Sequence, residues 1–404
     1  MAKRTSLLSR YRRALHDDAF GGLVLMVAAL VALLWANSPW RGTYFTITQA
    51  ELPIRALALN LTVAEWASDA LLAIFFFTVG LELKEEFTIG SLRDPKKAAL
   101  PILAAATGMA GPVLVYVVTQ LYAGPAGNMG GAAVPVATDI AFALGVLGIF
   151  GKGLPPAARV FLMTLAVADD LGGIIVIAVM FTNGLEWGWL AAAILAIVVF
   201  YLACRYRADR WWVLWPLGIL AWYFMFRSGI HATIAAVALG LTAPTRPRKG
   251  ETTSVSHRLT QATGFWNAGV VLPVFAFFAA GVSVVDSGGI GEILVSPVTM
   301  GIYLGLPVGK CLGIWGGTAL FTKVFHLKLD RTLNLADIFV IGIVGGIGFT
   351  VSLLLTQLSF PAGTALEADA RLGVLMGTLL STIVGGIALR LRVHYQRRGL
   401  EPDE

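Results

Sequence analysis

The chain has 404 residues, of which 57% are hydrophobic and only 13% charged, and its mean hydropathy is +0.77. A soluble domain carries about 45–50% apolar and ~25% charged residues, so this composition excludes an ordinary soluble enzyme or binding module. The formal net charge of +6 lies between apolar runs and reads as a basic face against anionic lipid, not as a nucleic-acid surface.

Apolar runs of 17 or more residues recur along the whole sequence, the signature of a polytopic membrane protein. The first, 19–36, follows a basic N-terminus as a signal peptide would. Its apolar core is too long for that role and no small-x-small cleavage site follows, so it is expected to be a retained span. Spans are predicted at 19–36, 66–83, 98–122, 132–150, 157–181, 187–204, 211–226, 229–242, 265–285, 295–320, 337–358 and 372–389.

Charge tests this count of twelve. With the N-terminus in the cytoplasm, 25 of the 30 Lys and Arg residues fall in cytoplasmic segments. The outer loops hold only Arg41, Arg55, Arg227 and Arg371, and Lys310 lies within the tenth span. Both termini are therefore expected in the cytoplasm. Cys204 and Cys311 lie at or within spans, and the histidines are scattered, so neither a disulfide framework nor metal-ligand spacing is present.

The first outer loop, 37–65, alternates Thr, Ile and Leu around Pro53. That pattern fits a β-hairpin outside the membrane, expected as a contact between two copies; a loosely ordered loop is the other reading. The polar run TRPRKGETTSVSHR at 245–258 is expected to be a cytoplasmic linker without a fold of its own.

Few charged side chains interrupt the spans: Asp69, Glu82, Asp139, Asp169, Asp170 and Lys310. An ionised side chain at mid-membrane costs roughly 2.5–3.5 kcal/mol, so Asp139, Asp169, Asp170 and Lys310 together cost about 10–14 kcal/mol before pairing. Such a cost is normally retained for function, although a buried ion pair that only fixes packing is the competing explanation. Asp69 and Glu82 lie near span ends, where snorkelling is equally consistent.

Depth places the others together. Asp169 lies about 18 Å along the fifth span from its cytoplasmic end, and Lys310 about 22 Å along the tenth from its outer end, at ~1.5 Å per residue. Both are near the midplane. Adjacent helical residues diverge by about 100°, so in VADDLGG one of Asp169 and Asp170 can meet the ammonium while the other faces elsewhere. Gly301, Gly305, Gly309, Gly313 and Gly317 recur every four residues in the tenth span, a row that admits a second backbone closely.

The fourth span contains Pro135 and Thr138 ahead of Asp139, and the eleventh clusters Gly342, Gly345, Gly346 and Gly348. Both are expected to be discontinuous, because loosened backbone survives in a membrane only beside protein or a wet cavity. They occupy the middle of spans 3–5 (98–181) and 10–12 (295–389), triples that run in opposite senses through the bilayer. The predicted fold is thus an all-α polytopic membrane protein with an inverted-repeat core and two crossed discontinuous helices, flanked by panel or interface helices at 19–83 and 187–285. At the crossing, Asp139 is expected to offset positive half-helix ends and Lys310 negative ones. A dehydrated carboxylate becomes neutral by binding either a proton or a small hard cation. The two compete for the same oxygens, so cation/proton exchange follows if the carrier reorients only when filled. The site is expected to titrate near cytoplasmic pH, with activity falling at low pH.

VPVATDIAFALGVLG, LAVADDLGGIIVIA, SGIHATIA, VGLELK, LPVFAFFAAGVS, GKCLGI and GIVGGIGFTVSLLL together resemble the bacterial NhaA-type Na+/H+ antiporters, over about residues 15–392. That family is itself a standard example of transporters built on inverted repeats. The resemblance implies electrogenic exchange of cytoplasmic Na+ or Li+ for external H+, serving sodium and pH homeostasis. It also implies a homodimer in the bacterial inner membrane, no cofactor and no enzymatic activity. Carried over by motif, Asp170 is the main Na+ or Li+ ligand and proton carrier, with Asp169 its partner, ion-paired to Lys310 in one state. Thr138 and Asp139 line the site, Glu82 and Lys84 match the cytoplasmic funnel, and His231 is at most modulatory. The chain departs from the family pattern at Cys311, where proline usually follows the lysine, and at Glu85, often a basic position. It departs again at Thr260, Gln261 and Gly264, where some members carry acidic and histidine residues linked to pH response. A K+/H+ or Ca2+/H+ exchanger is the main alternative. An intramembrane aspartyl protease fits poorly because its two aspartates sit on different helices, and a cation channel gains little from a buried lysine beside its carboxylates.

Overall fold

In lipid every peptide group must be paired within its own segment, which leaves helices as the solution for apolar runs that lack strand alternation. The structure is a computed structural model that describes residues 18–397 and Gly399, apart from 58, 183, 208, 249 and 286–289. The basic segment ahead of residue 18 lies outside the described residues. The helices are α1 (Asp18–Ala36), α2 (Arg41–Thr48), α3 (Val63–Thr88), α4 (Pro95–Ala123), α5 (Ile140–Phe150), α6 (Pro156–Met180) and α7 (Trp187–Arg205). They continue with α8 (Trp211–Arg227), α9 (Thr233–Thr242), α10 (Val255–Ala280), α11 (Pro297–Lys323), α12 (Leu335–Gly345), α13 (Phe349–Ser359) and α14 (Ala365–Arg397).

A helix or a pair of helices stands at each of the twelve predicted segments. Among the described residues seven are long and apolar enough to cross a membrane alone, and three bent pairs raise that number to ten. Several bounds move: α10 begins at Val255, inside the predicted linker, and α9 is only ten residues long. Ser254 explains the first shift. Its hydroxyl accepts the His257 N–H at 3.1 Å and caps the helix.

The outer loop corrects one expectation. Only its second half is a hairpin, in which β1 (Glu51–Ile54) pairs antiparallel with β2 (Leu59–Thr62), Leu52 opposite Leu61. The first half is α2, turned 117° from α1. Packing overrides the alternating pattern there. Tyr44 is buried against Trp35 and Phe277 and donates its hydroxyl to Phe277 O at 2.7 Å.

Two large apolar clusters organise the interior, with two small ones beside them. The largest joins α1, α3–α6 and α9–α14, and the second joins α7, α8 and α9 with the start of α10. Exposed apolar side chains such as Leu195 on α7, Ile219 on α8 and Ile387 on α14 present a lipid-compatible exterior, with Trp187 and Trp211 at helix ends.

The glycine row of the tenth span faces α4. A Cβ at Gly313 would lie 2.2 Å from Thr107 O, one at Gly309 would lie 2.6 Å from the Pro112 Cα, and one at Gly301 would lie 2.7 Å from the Tyr116 ring. The α11 helix is not uniform, however: Gly305–Gly309 form a π turn immediately before Lys310. Pro307 cannot donate the bond an α-helix needs there and crowds the preceding turn, and the widened turn relieves both faults.

Candidate cation site at the crossed helix breaks

The fourth span is a short helical lead, Met129–Val136, followed after a break by α5 at an angle of 49°. Pro135 sits in the last turn of that lead. The eleventh is α12 and α13, bent by 50° where Gly346–Gly348 leave the helix. The breaks touch. Asp139 N–H donates to Ile347 O at 2.6 Å, and a Cβ at Gly348 would lie 2.8 Å from Ala137 O. Glycine is required at 348 because the other strand of the crossing occupies that space.

Four helix ends therefore meet at one place, and the sequence supplies a charge for each polarity. Asp139 is the N-cap of α5, where its Oδ1 accepts Phe142 N–H at 3.0 Å. Its Oδ2 accepts the Thr350 hydroxyl at 2.8 Å and Thr350 N–H at 3.3 Å, in the first turn of α13. One carboxylate thus answers both positive ends. Lys310, with a side chain at 0% exposure, donates to Val136 O at the end of the short lead. Its methylene stem runs beside Gly345, the last residue of α12. The ammonium answers the negative end of the lead.

Asp169 and Asp170 come from the middle of α6. Asp169 Oδ2 accepts from Lys310 Nζ at 2.7 Å, and both side chains are fully buried. Thr138 Oγ1 lies 2.9 Å from that same oxygen and 2.7 Å from Gly345 O. A hydroxyl has one hydrogen, so it serves one of these acceptors at a time. The remaining oxygen of Asp169 and Oδ1 of Asp170 are buried with no hydrogen-bond partner. Buried carboxylate oxygens without donors are costly, and they fit a small hard cation or a proton. Among the described residues no three His, Cys, Asp or Glu side chains converge on a metal position. Further ligands for a cation would be hydroxyl or carbonyl oxygens, or water.

The other predicted residues are distributed around this centre. Glu82 is exposed on α3 and within electrostatic reach of Asp170. Lys84 is half-buried two residues farther on, about 200° around the helix. His231 is not part of the centre. Its Nε2 lies 3.5 Å from Asp69 Oδ1 and its Nδ1 is 2.7 Å from Thr233 Oγ1. His231 and Asp69 line a separate cavity of about 660 Å³ with Glu65, Tyr44 and Arg371. Of the positions on α10, Gln261 meets His257 at 3.0 Å, Thr260 Oγ1 is buried without a partner, and a side chain at Gly264 would meet nothing within 4 Å. Sequence reasoning missed Thr350, whose place directly after GGIGF at the start of the second half-helix was its only signal.

The sequence model of the family described as Na+/H+ antiporter 1 matches residues 12–389. The chain belongs to that family. This Na+/H+ antiporter 1 member is 44% identical over 392 residues to the Na(+)/H(+) antiporter NhaA 3 of Streptomyces coelicolor, covering 97% of this chain and 82% of that protein. It is 45% identical over 389 residues to the NhaA of Mycolicibacterium smegmatis (96% and 89%) and 45% over 394 to that of Thermobifida fusca (95% and 94%). Membership of the Na+/H+ antiporter 1 family makes the chain a multi-pass membrane transporter and not an enzyme.

Proposed function

We propose that the chain exports Na+, or Li+, from the cytoplasm in exchange for external H+, by alternating access across the bacterial inner membrane. The observation that carries this reading is the pair of buried, unpartnered carboxylate oxygens on Asp169 and Asp170 beside Lys310. Asp170 carries the exchange. It holds either a cation or one proton, and neither state leaves its carboxylate as a bare charge in the dry interior. Asp169 is secured by Lys310 and Thr138 when the site is empty of cation, and its second oxygen turns to the ion when one enters. Asp139 spends both oxygens on helix ends. In this reading it compensates dipoles and does not ligate the cation.

Electrogenic exchange needs a second proton for each cation; Asp170 carries one, and the Asp169–Lys310 pair, which parts when the cation enters, releases the other. Twelve spans with both termini in the cytoplasm, and an inverted repeat of spans 3–5 and 10–12, give the two broken helices the opposed senses that such a cycle uses. The hairpin leaves Leu52 and Ile54 exposed on β1, an apolar edge suited to pairing with a second copy. Dissipation of a pH gradient in everted membrane vesicles tests the exchange. Na+ and Li+ are expected to collapse the gradient with the wild-type chain and not with Asp170→Asn, and activity is expected to fall towards acid pH. Collapse by K+ alone would overturn the substrate, and equal activity of the variant would overturn the mechanism.

A further inference from the structure

The ninth span has no part in the site above, yet it carries a polar cluster in its apolar interior. Asn267 is buried at 6% exposure and opens a π turn, Asn267–Val271, in the middle of α10. Its Nδ2 donates to Thr78 Oγ1 on α3 at 2.7 Å. Thr78 Oγ1 lies 2.9 Å from Thr263 Oγ1 and 3.2 Å from Ile74 O, its one hydrogen serving one of them at a time, and Thr263 donates to Leu259 O at 3.0 Å. The cluster links the π turn to α3 and to α10 one turn earlier. An amide in hydrocarbon is retained at a cost, and Asn267 Oδ1 remains without a partner, so packing alone does not explain the residue.

The π turn joins two halves of α10 that both pack on α3, the helix that carries Glu82. The cytoplasmic half is Val255–Trp266; the outer half, Leu272–Ala280, packs in addition on α1 and on α13, the half-helix whose first turn is held by Asp139. Pro273 stands at the head of that outer half and withholds one more backbone bond from the joint. A π turn inside an α-helix is frequently found at a functional site. On the α9 side α3 is fixed rigidly: a Cβ at Gly80 would lie 2.4 Å from Val237 O, and one at Gly240 would lie 2.5 Å from Phe77 O.

We propose that Asn267 is a positioning residue for exchange. Through Thr78 and Thr263 it anchors the cytoplasmic half of α10 to α3, so that displacement of α13 is taken up in the π turn. Without the anchor, α10 slides along α3 and the movement is lost. The inference rests on the exchange reading above. It separates rate from affinity, because the anchor touches neither Asp169 nor Asp170.

The test uses Asn267→Leu, Thr78→Val and the double variant in reconstituted vesicles, with maximal rate and half-saturating Na+ measured alongside thermal unfolding in detergent. Thr78→Val strands a buried amide donor, whereas the double variant replaces both partners by apolar groups and is expected to unfold near the wild-type temperature. The maximal rate is expected to fall roughly three- to tenfold in all three variants, the size of effect that coupling residues exert. Half-saturating Na+ is expected to stay within about twofold of wild type. A double variant that exchanges at the wild-type rate would overturn the proposal, as would a change in half-saturating Na+ at full rate. A wild-type chain without Na+-driven exchange would overturn the functional reading instead, so the two failures are distinct.

Discussion

Lys310→Met removes the ammonium and keeps a flexible apolar stem of similar length. Two losses follow from the geometry. Asp169 loses its charge partner at 2.7 Å with both side chains at 0% exposure, and Val136 O loses its donor. Breaking a buried pair by removing one partner costs about 3–5 kcal/mol, because an uncompensated charge remains. Asp169→Asn alone strands the ammonium and should cost a similar amount. The double variant leaves two neutral groups, so its cost should fall well below the sum of the singles, with a coupling of about 3 kcal/mol or more. Reversible unfolding of the purified chain in mixed detergent micelles, wild type and three variants side by side, measures that coupling. Additive costs would refute the reasoning, because they would mean that Lys310 and Asp169 do not stabilise each other's charge.

Asp139→Asn keeps the acceptor for Phe142 but turns an N–H toward Thr350; the lost charge-assisted bonds are expected to destabilise the crossing by about 1.5–3 kcal/mol, and equal stability in the same unfolding assay would remove Asp139 from its capping role. Thr350→Val isolates one of those bonds and should cost about 1–3 kcal/mol, again read by unfolding. Gly313→Ala drives a methyl to 2.2 Å from Thr107 O, and the forced separation of α11 from α4 is expected to cost about 1–3 kcal/mol; Gly316→Ala, where a Cβ meets nothing within 4 Å, is the matched control and should be neutral.

Charge in an apolar run is the most legible signal in this sequence. Asp169, Asp170 and Lys310 stand out because each is expensive where it sits, and helix geometry allows only one carboxylate to meet the ammonium. The breaks are equally readable from Pro135 and from the glycines at 345, 346 and 348. Partners remote in sequence are not. Nothing local ties Asp69 to His231, Asn267 to Thr78, or Asp337 to Arg392, which meet at 2.8 Å on α12 and α14. The helix at 41–48 is hidden for a related reason, since its alternation suits a strand and only the burial of Tyr44 against Phe277 decides otherwise. Pro307 does announce the π turn in GLPVGK, but the regular glycine row around it reads as an unbroken helix.

If a cation and protons compete for the carboxylate oxygens of Asp169 and Asp170, the competition is visible at equilibrium, without any transport step. It is measured by titrating Na+ into the purified chain in weakly buffered detergent and counting released protons at several pH values. Na+ binding should expel protons, its apparent affinity should weaken as pH falls, and Asp170→Asn should show neither effect. Na+ binding of equal strength across pH, with no proton released, would contradict the exchange mechanism.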